Sequence, residues 1–317
     1  VLAAIFLIIG LALLFKSGAW LVDGSASLAR SLNLSSVVIG AVVLGFGTSA
    51  PELVVSTLAA WRGNTALGVG NIVGSNVANL SLILGCAGLI TAVTLPSSVI
   101  RRQAPLSIAS VVVFALFVMD GRLTRTDGVI LSALLVATII YLVRSPSDTV
   151  ELVRSPSDTV EESVEGELSV RRSLLVATTG LVGVLAGAQF AVTGATTLAE
   201  KWGLSGGFIG FSLVAVGTSL PELVTVIVAA RKEETGLIIG NLFGSNVFNS
   251  LAVAGAMGLV GAEQINDPSL TGFGIGSMLV VVVVAYCLGV RKSCISRVDA
   301  LLLLALYAAT NVVLAVI

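Results

Sequence analysis

Two glutamates sit beside prolines inside long apolar runs. Gly47-Thr48-Ser49-Ala50-Pro51-Glu52 recurs 170 residues later as Gly217-Thr218-Ser219-Leu220-Pro221-Glu222. A carboxylate at membrane depth is expensive and marks a functional site by default. Each proline lacks an N–H and clashes with the carbonyl four residues back, so carbonyls near Gly47 and Gly217 are freed. Free carbonyls in hydrocarbon are tolerated only where they line a cavity or bind something. Downstream of each glutamate lies a second matched motif. Gly70-Asn71-Ile72-Val73-Gly74-Ser75-Asn76-Val77-Ala78-Asn79 pairs with Gly240-Asn241-Leu242-Phe243-Gly244-Ser245-Asn246-Val247-Phe248-Asn249. Thr48 and Glu52, Ser75 and Asn79, and their copies are spaced one helical turn apart, which puts each pair on one face.

Brought together, the four segments offer two carboxylates, paired Asn, Thr and Ser side chains, and backbone carbonyls. That all-oxygen set suits a hard cation such as Ca2+, which takes about 6–8 oxygens, whereas Zn2+ or Cu favour imidazole or thiolate. The chain has no histidine, so proton chemistry falls to carboxylates. For Asn71, Asn76, Asn241 and Asn246, hydrogen bonding between helices competes with ligation. The glycines Gly47, Gly74, Gly217 and Gly244, with Pro51 and Pro221, are the expected helix breaks.

The elements that must carry these motifs follow from composition. Of 317 residues, 56% are hydrophobic and 11% charged, with a mean hydropathy of +1.05. Soluble domains run nearer a quarter charged, so the chain is an integral membrane protein. Its continuous apolar stretches reach the ~20 residues of a spanning helix and lack the alternation of a barrel strand. The expected fold is all-α and polytopic. Ten transmembrane helices are predicted at 2–29, 36–61, 66–92, 104–120, 127–143, 173–200, 206–230, 236–260, 270–290 and 298–317. Residues 1–15 lack a basic start and a cleavage site and read as part of the first helix. Loop Lys and Arg divide twelve against four, which places both termini outside and the 144–172 linker in the cytoplasm.

Aligning 40–85 with 210–255 needs no gap, and 20 of 46 positions are identical. Each half then holds five spans, 1–143 and 173–317, with cores at 36–92 and 206–260. Five is odd, so the second copy is inverted. Inverted repeats are an architecture of secondary transporters, with the site at the repeat interface near the bilayer midplane and helices 2, 3, 7 and 8 broken there. In the linker, 142–151 recurs unchanged as 152–161, which reads as a recent duplication or a sequence artefact in a mobile acidic segment. Its acidic residues fit no EF-hand spacing. Cys86, Cys287 and Cys294 have no metal-ligand spacing and read as free thiols. Lys16 and Asp23 share a face of the first helix, where they could pair or snorkel. Asp120, Arg122, Arg125 and Asp127 read as a solvated loop cluster.

Paired Gly-Thr-Ser-x-Pro-Glu and Gly-Asn-x-x-Gly-Ser-Asn motifs in inverted copies resemble the α-repeats of the calcium/cation antiporter superfamily. The nearest likeness is to prokaryotic sodium/calcium exchangers, and it covers essentially the whole chain. The resemblance implies a cluster of four cation sites and exchange of Na+ for Ca2+, normally exporting Ca2+. By that likeness Glu52 and Glu222 are shared Ca2+ and Na+ ligands, Thr48 and Thr218 give carbonyls, and Asn79 and Asn249 complete the central site. Ser49, Ser75, Ser219 and Ser245, with carbonyls near Gly45 and Ala215, line flanking Na+ sites, and spans 1 and 6 slide across the other eight. Some archaeal and potassium-dependent relatives carry aspartate where this chain has Asn249. With Asn in both copies the formal site charge is −2, which argues against K+ cotransport. Two glutamates can also exchange one Ca2+ for two protons; the motif favours Na+, and charge alone leaves Na+ and H+ open.

A cation channel would use similar groups, but an internal inverted repeat points to alternating access. No nucleophile–base pair supports an enzyme. The expected partners are the lipid bilayer and the transported Ca2+ with Na+ or H+. No organic cofactor or nucleic acid is expected, and the chain is expected to work as a monomer in the cell membrane.

Overall fold

The computed structural model describes residues 2–144, 169–201, 215–261, 263–265 and 267–316. The elements are α1 (Leu2–Ser31), α2 (Ser36–Thr48), α3 (Ala50–Trp61), α4 (Thr65–Ile90), β1 (Val93–Thr94), α5 (Val99–Val118), β2 (Arg122–Leu123) and α6 (Arg125–Arg144). After the linker come α7 (Val170–Lys201), α8 (Ala215–Thr218), α9 (Leu220–Arg231), α10 (Thr235–Val260), β3 (Glu263–Gln264), α11 (Leu270–Lys292), β4 (Cys294–Ile295) and α12 (Arg297–Val316). Among the described residues, eight helices are long and apolar enough to cross a membrane. A ninth span arises if α2 and α3, bent by 44° at their junction, are one. The span expected at 206–230 falls partly on 206–214, outside the described residues, as does most of the 144–172 linker.

Local sequence sets the helix starts. Asn64 Oδ1 accepts from Leu67 N–H and Ser35 Oγ from Val38 N–H, so side chains cap orphan donors. Thr124 and Asp127 cap each other reciprocally at the head of α6, as Ser296 and Asp299 do at α12. Asp299 is fully buried and also accepts from Arg291 at 2.8 Å. Asp120 accepts from Arg122 N–H, in keeping with an exposed loop.

The repeat is visible in contacts. β1 pairs with β4 antiparallel, and β2 with β3, so each two-residue ladder ties a loop of one half to a loop of the other. α1 and α7 form an antiparallel pair in one register. A Cβ on Gly10 would lie 2.4 Å from Ala191 N, and its equivalent, Gly180, 2.4 Å from Leu21 N; Gly24–Ala177 and Gly194–Leu7 are related in the same way. Small residues let membrane helices approach this closely, and dispersion then holds them. At the contact between α2 and α10, a Cβ on Gly240 would lie 2.2 Å from Val37 O, and one on Gly244 2.5 Å from Ala41 Cα.

Two expectations about breaks are corrected. α4 and α10 run unbroken through Gly74 and Gly244; their irregularities are π-helical turns further on, at Asn79–Ile83 and Phe248–Val253. Glycine alone weakens a helix; Gly244 is held by close packing on Ala41, whereas a Cβ on Gly74 would meet nothing within 4 Å and the rest of α4 carries the helix through it. The bend in the proline-bearing spans comes at Ser49 (φ −82°, ψ 10°) and Ser219 (φ −90°, ψ 6°), with Pro51 and Pro221 in the first turn of the next helix. Gly47 and Gly217 serve as close contacts, since added Cβ atoms would lie 2.8 Å from Leu181 Cδ2 and 2.5 Å from Val192 Cγ2.

Lys16 and Asp23 do not pair. Lys16 lies over the Trp20 ring, a cation–π contact, and Asp23 accepts from Lys232 at the α9–α10 turn. In that turn burial pushes the Glu234 carboxyl up, against the pull of Arg30. The three cysteines are free, as expected.

Candidate functional site

The two bends meet, each within hydrogen-bond reach of the other repeat's glutamate. Pro51 cannot donate to Gly47 O, nor Pro221 to Gly217 O, so each chain leaves its helical path just before a glutamate. Glu52 (0% exposed) and Glu222 (1%) are buried at the start of α3 and α9. Each carboxylate is held by the other repeat. Ser49 Oγ donates to Glu222 Oε1 at 2.8 Å, and Ser219 Oγ donates to Glu52 Oε1 at 3.2 Å. Ser75 Oγ also approaches Glu52 Oε1, at 3.4 Å. The second oxygens, Glu52 Oε2 and Glu222 Oε2, are buried with no hydrogen-bond partner. A buried carboxylate oxygen without a donor is costly unless a cation compensates it.

The threonines complete the crossing. Thr48 Oγ1 bonds Leu44 O at 2.8 Å and lies 3.3 Å from Asn241 Oδ1, while Thr218 Oγ1 lies 3.3 Å from Asn71 Oδ1. Ser245 Oγ donates to Gly45 O at 3.1 Å, so the predicted Gly45 carbonyl and its serine are neighbours. Ala215, at the position equivalent to Gly45, opens α8. Asn79 donates to Asn246 Oδ1 at 2.9 Å, and its own Oδ1 is buried and unpartnered; Asn249 is buried with neither amide atom bonded. The π turns fall at these two asparagines. Such turns often mark functional positions.

All twelve predicted ligand residues lie on the bends and π turns or in the helices facing them. The structure joins Glu52 with Ser75 and Ser219, Glu222 with Ser49, and Ser245 with Gly45. Of the asparagines with two possible roles, Asn71, Asn76, Asn241 and Asn246 all make or accept bonds between helices. Sequence reasoning passed over Ser56 and Ser250, which accept from Asn71 Nδ2 at 2.9 Å and Asn76 Nδ2 at 3.0 Å. It also passed over Phe46 packed against Phe248, with centroids 5.0 Å apart and the rings tilted by 35°. Their signal lay in differences between the repeats. Positions 56 and 250 correspond to Val226 and Leu80, and a search for identity skips them.

The arrangement can hold a cation. Two carboxylate oxygens and the side-chain carbonyls of Asn79 and Asn249 are buried acceptors without donors. Among the described residues, no group of three or more His, Cys, Asp or Glu is gathered.

Comparison with known proteins agrees. A family model described as sodium/calcium exchanger protein matches residues 2–144 and 172–316. A putative antiporter, CaxA of Alkalimonas amylolytica, is 34% identical over 301 residues, covering 94% of this chain and 92% of that protein. The sodium/calcium exchanger MaX1 of Methanosarcina acetivorans is 28% identical over 308 residues, covering 84% and 85%. A solved structure of the sodium-calcium exchanger NCX_Mj, soaked with 2.5 mM Na+ and 0.1 mM Ca2+, superposes with a TM-score of 0.85 at 30% identity over 98% of both chains.

Proposed function

This chain belongs to the sodium/calcium exchanger family, and we propose that it exports Ca2+ in exchange for Na+ through the crossed Glu52–Glu222 site. As a family member it is a multi-pass membrane antiporter of cations with the inverted-repeat fold, and not an enzyme. The observation that carries the finer reading is the pair of buried carboxylate oxygens without donors, Glu52 Oε2 and Glu222 Oε2. Two negative charges balance one Ca2+, and Asn79 Oδ1, Asn249 Oδ1 and backbone carbonyls at the bends extend the oxygen set. Ser49, Ser75, Ser219, Ser245 and Gly45 O flank it as Na+ ligands, with Thr48, Thr218 and Ala215 lending carbonyls. The tight α1–α7 pair supports motion of these helices as one body against the rest, the rigid-body exchange that inverted repeats allow. The protein acts as a monomer in the cell membrane, with both termini outside and the 144–172 linker in the cytoplasm.

A specific feature favours a second reading. With Asn at 79 and 249, Glu52 and Glu222 are the charged residues of the site among the described residues, and two carboxylates can trade one Ca2+ for two protons without changing net charge. Flux in proteoliposomes decides. An imposed Na+ gradient should drive 45Ca2+ uptake and generate a membrane potential. Uptake that follows a pH gradient and ignores Na+ would establish proton exchange instead.

A further inference from the structure

Asn79 and Asn249 are equivalent in the two repeats, yet they are held differently. Asn79 Nδ2 donates to Asn246 Oδ1 at 2.9 Å, which fixes its amide plane and leaves Oδ1 buried without a donor. The equivalent bond would run from Asn249 Nδ2 to Asn76 Oδ1. It is not made: both of those atoms are buried and unpartnered, and so is Asn249 Oδ1. The reason lies at Asn76, whose Nδ2 donates to Ser250 Oγ at 3.0 Å and lies 3.5 Å from Met278 Sδ. At the offset of 170 position 250 corresponds to Leu80, whereas the π turns Val99–Gln103 and Leu270–Gly274 set an offset of 171 further on, which matches Met278 with Ser107. Leu80 is apolar and Asn246 Nδ2 is buried without a partner, so no hydrogen bond draws Asn246 away from Asn79.

We propose that Ser250 is a positioning residue that, by holding Asn76, keeps Asn249 unpinned as a ligand of the cation site. The inference rests on the reading of Asn79 and Asn249 as ligands. Asn79 then presents a fixed carbonyl, and Asn249 turns to meet the ion. A fixed ligand has no ordering cost left when the cation arrives, whereas an unpinned one loses rotamer freedom on coordination. The asymmetric pair therefore binds Ca2+ less tightly, and releases it faster, than two pinned amides would. A transported ion has to leave as well as enter, so a site of this kind gains from limited affinity.

Ser250→Ala removes the acceptor that diverts Asn76, and Leu80→Ser places one beside Asn246. Equilibrium 45Ca2+ binding to the purified full-length protein, together with Ca2+-dependent uptake in proteoliposomes, reads both changes. Ser250→Ala should tighten Ca2+ about fivefold, the weight of one neutral hydrogen bond, and lower the maximal rate. Leu80→Ser should weaken Ca2+ by a similar factor. A residue that merely packs would give losses in both variants. Adding Asn76→Ala to Ser250→Ala should erase the gain, because the coupling runs through Asn76. If Leu80→Ser fails to fold, Met278→Leu, which removes the weaker acceptor, should shift affinity in the same direction as Ser250→Ala. Unchanged or weakened binding in Ser250→Ala, with binding abolished in Glu52→Gln, overturns the positioning role and leaves the site intact. Binding that survives Glu52→Gln overturns the site and the inference together.

Discussion

Glu222→Gln separates a ligand from a structural residue. Glu222 is 1% exposed; Oε1 accepts from Ser49 at 2.8 Å, and Oε2 has no partner. Glutamine keeps the shape and an acceptor for Ser49 but removes one of the two charges facing a divalent ion. With a Ca2+–oxygen distance of about 2.4 Å and an effective dielectric of about 20, the gross Coulomb attraction lost is ~14 kcal/mol. Rehydration of the ion offsets most of that, and removing one partner from a buried charge pair costs about 3–5 kcal/mol net. The expected loss in Ca2+ affinity is therefore about 10²–10⁴-fold. Folding should respond in the opposite sense, because the substitution takes an uncompensated charge out of the ion-free core. Thermal unfolding in detergent reads both. The wild type should gain about 2.7 kcal/mol at a Ca2+ concentration one hundred times Kd, and lose it on chelation. The variant should unfold at or above the ion-free wild-type temperature and show no Ca2+ shift. Ca2+ binding within tenfold of wild type would refute the ligand role. An ion-free variant destabilised by more than about 2 kcal/mol would show that the carboxylate holds the fold, since glutamine replaces every hydrogen bond it makes except to a cation.

Gly10→Val should force α1 from α7, because the new Cβ would lie 2.4 Å from the backbone nitrogen of Ala191, where nothing flexible can yield. A stability loss at the upper end of the about 1–3 kcal/mol seen for overpacking is expected, read as a lower unfolding temperature and poorer monodispersity. Asp299→Ala should destabilise by about 2–3 kcal/mol, since a buried carboxylate that accepts from Ser296 N, Ser296 Oγ and Arg291 loses charge-assisted bonds. Asp127→Ala, which removes the same cap on an exposed helix start, should cost about 1 kcal/mol. Equal losses in the paired unfolding experiments would remove burial as the cause of the difference.

Much of this architecture is legible in the chain because membrane burial leaves few alternatives. An apolar run of spanning length must be a helix, and a Pro-Glu pair within one must bend it and carry a charge inward. The crossed bonds from Ser49 to Glu222 and from Ser219 to Glu52 realise the pairing that the repeat implies. What the sequence does not disclose is where strain is absorbed. Gly74 and Gly244 look like breaks because glycine weakens a helix, but the helices they sit in are packed along their length, and the irregularity comes as π turns that begin at Asn79 and Phe248. Lys16 and Asp23 share a helix face, yet the partner of each was fixed by neighbours that spacing cannot reveal, an aromatic ring on the same helix and a turn 209 residues away.

The same repeat that makes the site legible hides its asymmetry. α1 lies against α9, and a Cβ on Gly18 would come within 3.3 Å of Val224 and 3.5 Å of Val228. Val224 is accordingly 3% exposed. Its equivalent in the first repeat, Val54, is 63% exposed, because α7 does not cover α3 in the same way. A pair of helices that is symmetric within itself thus sits asymmetrically on its surroundings. One conformation of an inverted-repeat carrier has this form, with the other reached when the two halves exchange contacts. The exchange proposed for α1 and α7 would not be between equals. Asp23 pairs with Lys232 in the arrangement present, whereas the equivalent positions, Thr193 and Arg62, bring a single charge and no ion pair. Both partners are partly exposed, so the pair weighs only about 0–1 kcal/mol. A bias of that size still shifts a two-state population up to about fivefold.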